Sequence, residues 1–302
     1  MQILYVHRHF STPQGSVGTH AYETARRLVE RGHQVTIVCG GFGANNIGLD
    51  GAFRRGKREG NVDGIRVMEY QLGNSHAPNW LARCVATSIF ALRCVAVALR
   101  EPYDVLCATS TPPIASILGV CASLLRRKPM VLEVRVLWSE RLKALGIIKN
   151  PIWCGVASTL EWISYHSATR FVALSPMIAE SIQIRGIPAS HIKMIPNGCD
   201  IALFAAPVSA WRPAEVRQDD VMAVYAGAHE HANGLLSVLH AAAELKRRGA
   251  QHIKVVLVGA GQFKQMLVEY ARQEKLDNVL FLDAVPKTKL AGLMATADIG
   301  LQ

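Results

Sequence analysis

Short apolar segments of strand length alternate with amphipathic segments of helix length along the whole chain, and this alternation limits the folds it can adopt. The series begins with an apolar strand at residues 3–7, a glycine-containing loop and a helix over residues 20–31. It starts again at Val221 with a fresh strand, loop and helix. Buried strands that alternate with helices predict parallel sheets covered on both faces. The sequence therefore predicts an α/β protein made of two doubly wound halves.

The two halves are separated by turn residues and by a stretch without periodicity. Residues 195–200 combine a strand end with turn chemistry, and residues 205–220 show no apolar pattern. We predict a first domain at residues 1–204, a linker at 205–220 and a second domain at 221–302. Because the sequence stops directly after an apolar strand, we expect this second domain to be incomplete.

The composition favours an anionic partner. Half of the residues are hydrophobic, which excludes global disorder, and 33 Lys and Arg against 23 Asp and Glu give a net charge of +10. Such a balance suits a nucleotide diphosphate, an acidic membrane surface or nucleic acid. The basic residues are scattered and no nucleic-acid motif accompanies them, so we expect no nucleic-acid partner.

The cysteines and the apolar segments indicate a cytoplasmic protein. Seven cysteines form no Cys-x-x-Cys pair, and their odd number argues against a closed disulfide set. The N-terminal apolar run is too short for a signal peptide. Residues 80–99 are the most membrane-like, but Arg83 and Arg93 interrupt them, which favours a buried or interfacial helix over a spanning one.

A basic run lies within a segment that shows no periodicity. Residues 40–64 are rich in Gly, Asn and Arg, and residues 54–58 are Arg-Arg-Gly-Lys-Arg. We predict a mobile basic loop here. It is either a solvated charge run or a contact for an anionic acceptor or a lipid surface.

Glycine loops follow strands in both halves. Glycine in such a loop lets backbone N–H groups approach an anion at a helix N-terminus. None of the loops completes a Gly-x-Gly-x-x-Gly fingerprint, and their histidines lack metal-ligand spacing, so we expect no metal. The candidate ligand-loop residues are Gly15, Gly18 and the nearby His20 in the first half, and Gly227, His229, Gly234, Gly259 and Gly261 in the second.

Charged residues cluster at the end of a central strand of the first half. Glu133, Arg135 and Glu140 follow or end the apolar segment that starts at Met130. Open α/β sheets place ligands at the carboxyl ends of their strands. A structural Glu–Arg pair explains the same residues, because an unpaired buried charge is costly.

Taken in order, the motifs resemble the family-4 retaining glycosyltransferases of the two-domain GT-B fold. The most similar branch transfers sugars, often N-acetylated amino sugars, in bacterial surface-polysaccharide assembly. The motifs that support the resemblance are GTHAYE (18–23), RGHQVT (31–36), TSTPP (109–113), EVRVLWSE (133–140), ALSP (173–176), IPNGCD (195–200), YAG (225–227) and VGAG (258–261).

The resemblance implies that the first domain holds the acceptor and the second a nucleotide-sugar donor, here a UDP-sugar. The acceptor would be a polyprenyl-diphosphate-linked or other saccharide, with peripheral contact to the anionic surface of the inner membrane. The nucleotide sugar is a substrate, and no cofactor or metal is implied. Enzymes of this type act by positioning and by neutralising the departing diphosphate.

By position, the resemblance assigns roles to the candidate residues. Glu133, Arg135 and His20 are expected to form the catalytic set, with Arg135 lining the acceptor side. Expected to bind the donor are Gly15, Gly18, Gly227, His229, Gly234, Gly259, Gly261 and Val285, the last with its backbone against the base.

The chain departs from the branch at several positions. Val136 replaces the usual Asp, Ser139 replaces Pro, and His20 replaces Arg, which makes positive charge there depend on pH. We expect the family's paired-glutamate segment to lie beyond residue 302. Two hypotheses follow: a glycosyltransferase, or a catalytically inactive GT-B-like module that binds a nucleotide sugar or a partner. A nicotinamide-dependent oxidoreductase ranks behind both because the glycine fingerprint is incomplete.

Overall fold

A computed structural model describes residues 1–15, 19–41, 47–72, 80–110, 120, 124–137, 151–205 and 208–302. The chain divides into two compact units. One unit comprises Met1–Thr12 and Val17–Gly198, and the other comprises Cys199–Gln302 with the short segment Pro13–Ser16.

The first unit is built on an eight-stranded sheet. Its strands are β1 (Gln2–Val6), β2 (Gln34–Gly41), β3 (Lys57–Val62), β4 (Ile65–Gln71), β5 (Val105–Thr109), β6 (Met130–Val134), β7 (Arg170–Ala173) and β8 (Ile192–Met194). They lie in the order β3-β4-β2-β1-β5-β6-β7-β8. Every neighbouring pair is parallel except β3 with β4. The predicted parallel α/β sheet is confirmed.

Helices cover both faces of this sheet. They are α1 (His20–Glu30), α2 (Trp80–Arg100), α3 (Pro151–Ser167) and α4 (Pro176–Ile184). Successive residues of β1 point to opposite faces, so Ile3 and Tyr5 pack in the core with α1, while Leu4 and Val6 pack in the core with α2, α3 and α4. Two cores on one sheet are the signature of a doubly wound fold.

Local sequence signals explain where individual helices begin. The Ser175 hydroxyl caps α4 by accepting a hydrogen bond from the Ile178 N–H at 3.3 Å, and Pro176 follows at the first helical position. The apolar spacing of residues 114–126 predicts a further helix, of which only residues 120 and 124–126 are described, and these are helical. The remainder of that prediction lies outside the described residues.

The prediction of a mobile basic loop over residues 40–64 is wrong for its second half. Residues 57–62 form β3, which pairs antiparallel with β4 through a tight turn at Asp63 and Gly64, both at positive φ. Arg58 makes an ion pair with the buried carboxylate of Glu69 on β4. The sequence hid this hairpin because β3 is polar, and a polar edge strand lacks an apolar period.

The second unit contains a four-stranded parallel sheet. Its strands are β9 (Val221–Ala226), β10 (Ile253–Val258), β11 (Val279–Leu282) and β12 (Ile299–Leu301), in the order β11-β10-β9-β12. Its helices are α5 (Ile201–Ala205), α6 (Leu235–Arg247), α7 (Lys264–Gln273) and α8 (Lys287–Met294). One core lies under α6 and α7 and another under α8, so this sheet is also covered on both faces.

The segment predicted as a linker is held against the second unit where it is described. Val216 is buried in the core under α8, and the Trp211 N–H donates to the carbonyl oxygen of Gly292 at 3.0 Å. Arg212 donates to the carbonyl oxygen of Thr296 at 2.8 Å. No helix among the described residues is long and apolar enough to cross a membrane.

Candidate functional site

The carboxyl ends of three central strands bring polar side chains together in the first unit. Glu133 on β6 lies beside Thr109 of β5 in the parallel register, and Tyr5 on β1 lies beside Cys107 of β5. α1 begins at His20, just beyond the loop that follows β1. The sheet topology therefore places a carboxylate, a phenol and an imidazole at the edge where α/β proteins bind ligands.

Glu133 is the centre of this cluster. Its Oε1 lies 2.7 Å from Nε2 of His20 and 3.4 Å from Nη1 of Arg135, and its Oε2 accepts a hydrogen bond from the Tyr5 hydroxyl at 3.1 Å. The structure thus brings together the three residues predicted as the catalytic set. We call Glu133, His20, Arg135, Tyr5 and His7 the Glu133 cluster.

Charge neighbours keep Glu133 ionised in spite of its burial. Burial alone raises the pKa of this carboxyl, but the hydrogen bond and charge of His20, followed by the charge of Arg135, outweigh it and lower the pKa below its ordinary value. Burial, reinforced by the charge of Glu133, raises the pKa of the Tyr5 phenol well above its ordinary value. Tyr5 therefore remains a hydrogen-bond donor to a carboxylate at neutral pH.

His7 completes the cluster as a neutral group. Its ring centroid lies 6.2 Å from that of His20 and 5.9 Å from that of Tyr5. Burial lowers the pKa of His7 to about 4, despite the opposing charge of Glu133. The cluster at neutral pH thus contains one carboxylate, one guanidinium and the imidazole of His20, an arrangement that can bind and orient polar hydroxyl groups.

Hydrogen bonds of Ser110 hold together the two strand ends that carry the Glu133 cluster. The Ser110 hydroxyl accepts a hydrogen bond from the Arg135 N–H at 3.0 Å, and the Ser110 N–H donates to the Glu133 carbonyl oxygen at 2.8 Å. Tyr5, His7 and Ser110 belong to the site although the sequence did not predict a role for them. The available signal was their position at the ends of strands that are otherwise apolar.

The remaining candidate residues before residue 199 have fewer described contacts, and Gly15 belongs to the short segment that groups with the second unit. Gly15 is buried in the loop after β1, and Gly18 lies outside the described residues. Val136 is partly buried directly after Arg135. Its side chain offers neither a proton acceptor nor a hydrogen bond beside the Glu133 cluster.

In the second unit, two loops at adjacent strand ends are in close backbone contact. The Gly227 N–H donates to the carbonyl oxygen of Val258 at 3.0 Å. A Cβ on Gly259 would lie 1.9 Å from the carbonyl oxygen of Gly227, and Gly259 has a φ of +152°. A Cβ on Gly261 would lie 2.2 Å from the carbonyl oxygen of His229. Only glycine fits at these two positions, which explains the Gly-x-Gly pattern after β10.

His229 occupies the interior of this loop pair. Its side chain is fully buried, and within the described residues neither ring nitrogen has a hydrogen-bond partner. The ring lies between Tyr225 and Phe281, with centroid distances of 6.1 and 6.3 Å. Burial, followed by the charge of Lys264, lowers the pKa of His229. A buried, neutral and unpartnered imidazole is costly to the fold, so it is a group that gains from a ligand.

Other contacts set the shape of the loop pair. Gly234 adopts a left-handed conformation with φ +65° and caps α6. Lys264 donates to the carbonyl oxygens of Gly259 and Leu282, both at 2.9 Å, and to Asp283 Oδ1 at 2.6 Å. This lysine therefore braces the strand ends. Val285, predicted to contact a base through its backbone, has its side chain packed against the core under α8.

The five predicted binding residues of the loop pair fall into one place. Gly227, His229, Gly234, Gly259 and Gly261 all lie in the two loops that follow β9 and β10. Backbone N–H groups at the start of a helix and in glycine loops favour anions such as phosphate. Among the described residues, no group of three or more His, Cys, Asp or Glu side chains is arranged to hold a metal.

Family comparisons identify the class of protein. Residues 15–198 match the family described as glycosyl transferase 4-like domain, which is more than half of the chain. The chain belongs to the glycosyl transferase 4-like family. Residues 209–302 match a second family, glycosyl transferases group 1. The predicted membership of the glycosyltransferases is therefore confirmed.

Solved structures confirm the GT-B fold. HepE from Anabaena, solved with UDP and glucose, is 20% identical with a TM-score of 0.61, and the match covers 99% of this chain and 73% of HepE. Sucrose-phosphate synthase from Thermosynechococcus elongatus is 15% identical with a TM-score of 0.69, covering 99% and 74%. WaaG, a glycosyltransferase involved in lipopolysaccharide biosynthesis, is 12% identical with a TM-score of 0.64 and the same coverage. No curated protein sequence matches the chain.

Proposed function

We propose that this glycosyltransferase moves a sugar from a UDP-sugar to a lipid-linked or other saccharide acceptor, with retention of the anomeric configuration. The process would be bacterial envelope polysaccharide assembly at the cytoplasmic side of the inner membrane. The observation that most supports a nucleotide-sugar donor is the Gly259–Gly227 contact, which only glycine permits, beside the buried and unpartnered His229. HepE, a structure of similar fold, was solved with UDP-glucose.

In the proposed reaction, the bond between the anomeric carbon and the diphosphate oxygen breaks. A bond forms between that carbon and an acceptor oxygen, and the acceptor proton leaves with the diphosphate. The loop pair of the second unit binds the diphosphate through backbone N–H groups and His229. The Glu133 cluster binds and orients the acceptor, with Arg135 and His20 offering donors and Glu133 an acceptor for its hydroxyl groups.

Turnover with a panel of UDP-sugars tests this proposal. UDP release is measured with a short-chain polyprenyl-diphosphate saccharide as acceptor, in the wild type and in Glu133→Gln. We expect release that depends on both substrates and falls in the variant. Failure of UDP itself to bind in calorimetry would contradict the assignment of the loop pair.

An inactive GT-B-like module is the second candidate, and Val136 favours it. The position offers no side-chain acceptor beside Arg135. If UDP binds but turnover appears only after Val136→Asp, the protein is a decayed enzyme. Turnover of the wild type without that change would eliminate this candidate.

A further inference from the structure

The outward face of α2 exposes an apolar stripe. Val85, Ile89 and Leu92 are 57%, 44% and 70% exposed, and their spacing of four and three residues places them on one side of the helix. The opposite side, which includes Phe90 and Cys94, is buried in the core of the first unit. Helix α2 therefore presents apolar surface in two directions, and only one of them is covered by the sheet.

Positive charge accompanies this stripe without any acidic residue on the helix. The 21 residues of α2 include three arginines and no Asp or Glu. Arg93, next to Leu92, donates to the carbonyl oxygens of Gly56 at 3.4 Å and Gln71 at 3.1 Å, and its guanidinium lies over the ring of Tyr70. Carbonyl and aromatic partners do not neutralise the positive charge of Arg93. The hydrogen bonds join α2 to the turn before β3 and to the end of β4.

The contact with Gly56 brings the basic run of residues 54–58 beside α2. The basic residues of this run differ in their ion pairing. Lys57 and Arg58 make ion pairs with Glu59 and Glu69. Arg54 and Arg55 are exposed, and within the described part of the chain neither makes an ion pair. The backbone groups of Arg54 and Lys57 bond to each other at 2.8 and 3.0 Å, which closes a tight turn with Arg55 at its tip.

We propose that Val85, Ile89, Leu92, Arg54 and Arg55 form a contact surface for an anionic lipid bilayer, which we call the α2 patch. An apolar stripe flanked by unneutralised arginines matches the chemistry of a helix that lies in the plane of a membrane interface. The apolar side chains enter the boundary between headgroups and acyl chains, and the arginines bind lipid phosphates.

The α2 patch is connected to the Glu133 cluster within the first unit. Thr87, on α2 between Val85 and Ile89, accepts a hydrogen bond from Arg8 at 3.0 Å, and Arg8 directly follows His7. A membrane contact here would place the acceptor site beside the bilayer. This part of the inference rests on the proposed lipid-linked acceptor, whereas membrane binding itself does not.

Co-sedimentation with phosphatidylglycerol-containing vesicles and with neutral phosphatidylcholine vesicles tests the inference. We expect the wild type to bind the anionic vesicles and to dissociate as salt increases. The double variant Arg54→Ser/Arg55→Ser should lose about twentyfold in partitioning, since each basic residue near an anionic surface contributes roughly fivefold. Ile89→Ser/Leu92→Ser should lose about tenfold on both vesicle types.

Matched control variants distinguish membrane binding through the α2 patch from a general effect of removing one charge or one apolar side chain. Arg31→Ser and Ile184→Ser remove an exposed arginine and an exposed isoleucine elsewhere in the first unit and should leave partitioning unchanged. Equal losses in the controls, wild-type partitioning in the patch variants, or a patch-dependent dimer by light scattering would overturn the inference. UDP binding, measured in parallel by calorimetry, should be unchanged in every variant. Its absence would instead count against the proposed function.

Discussion

The two units place their candidate sites at the same topological position but build them differently. In the first unit, side chains from β1, β6 and α1 meet at a buried carboxylate, so the site is a network of charged and polar groups. In the second unit, backbone surrounds a single imidazole, and glycines allow two loops to approach within contact distance. The first arrangement suits oriented hydroxyl groups, and the second suits a diphosphate.

This difference means that the two sites should respond to different mutations. A site made of backbone fails when a Cβ is added, whereas a site made of side chains fails when one charge is removed.

Gly259→Ala should have the largest effect. The added Cβ meets the carbonyl oxygen of Gly227, and the φ of +152° is strained for alanine. We expect a loss of about 3 kcal/mol or more in the free energy of unfolding and loss of UDP binding. Gly249→Ala is the matched control, because Gly249 also has positive φ but no atom near its Cβ position. It should cost about 1 kcal/mol and leave UDP binding intact. Equal effects of the two variants in urea unfolding and calorimetry would contradict a binding site built from backbone at Gly227 and Gly259.

Glu133→Gln should abolish most turnover without affecting UDP affinity. The amide keeps the shape but leaves Arg135 and His20 without a counter-charge, so we expect roughly a hundredfold loss in kcat/KM and a cost of about 1–3 kcal/mol in stability. Glu161→Gln is the control for loss of a carboxylate elsewhere, because Glu161 on α3 makes an ion pair with Arg185, which directly follows α4. A changed UDP dissociation constant in Glu133→Gln would contradict the division of roles.

His229→Leu should weaken UDP binding without lowering the free energy of unfolding. Replacing a buried imidazole that has no hydrogen-bond partner by an apolar group should leave the free energy of unfolding unchanged or raise it. UDP affinity should fall by about tenfold, the equivalent of one hydrogen bond to a charged group. His240→Leu, on the exposed side of α6, should change neither quantity. If His229→Leu destabilises the protein and UDP binds as before, His229 is a structural residue.

The pH dependence of the free energy of unfolding should reveal the lowered pKa of His7. Burial lowers the pKa of His7 to about 4, so between its unfolded value of about 6.5 and 4 the folded chain binds fewer protons than the unfolded chain. Stability should therefore fall as the pH decreases through this window. His9, whose pKa is also about 4, contributes with the same sign. His7→Gln should flatten the dependence measured by urea unfolding, whereas His252→Gln at an exposed position should not. A parallel slope in His7→Gln would contradict the burial argument.

Much of this architecture follows from local sequence patterns. The alternation of apolar strands with helices predicted both parallel sheets. The glycines after β9 and β10 predicted the loop pair, because the two loops approach so closely that a Cβ does not fit. The position of Glu133 and Arg135 at the end of an apolar strand also predicted that they belong to a site.

What the sequence did not reveal depends on contacts between distant segments. The β3–β4 hairpin is held by the ion pair of Arg58 with the buried Glu69, which joins the polar strand β3 to β4. Tyr5 lies 128 residues from Glu133, and only the parallel order of β1, β5 and β6 brings them together. The burial of His229 likewise arises from β10 and β11, which follow it in the chain.

Titration of the isotopically labelled protein with UDP, followed by amide NMR, shows directly whether the donor binds at the glycine loops of the second unit. We expect chemical-shift changes to concentrate in residues 227–234 and 259–261 and in the ring signals of His229, while the side-chain signals of His20 and His7 do not change. Saturable shifts confined to the Glu133 cluster, or no shifts at millimolar UDP, would contradict the assignment of the donor to the glycine loops of the second unit.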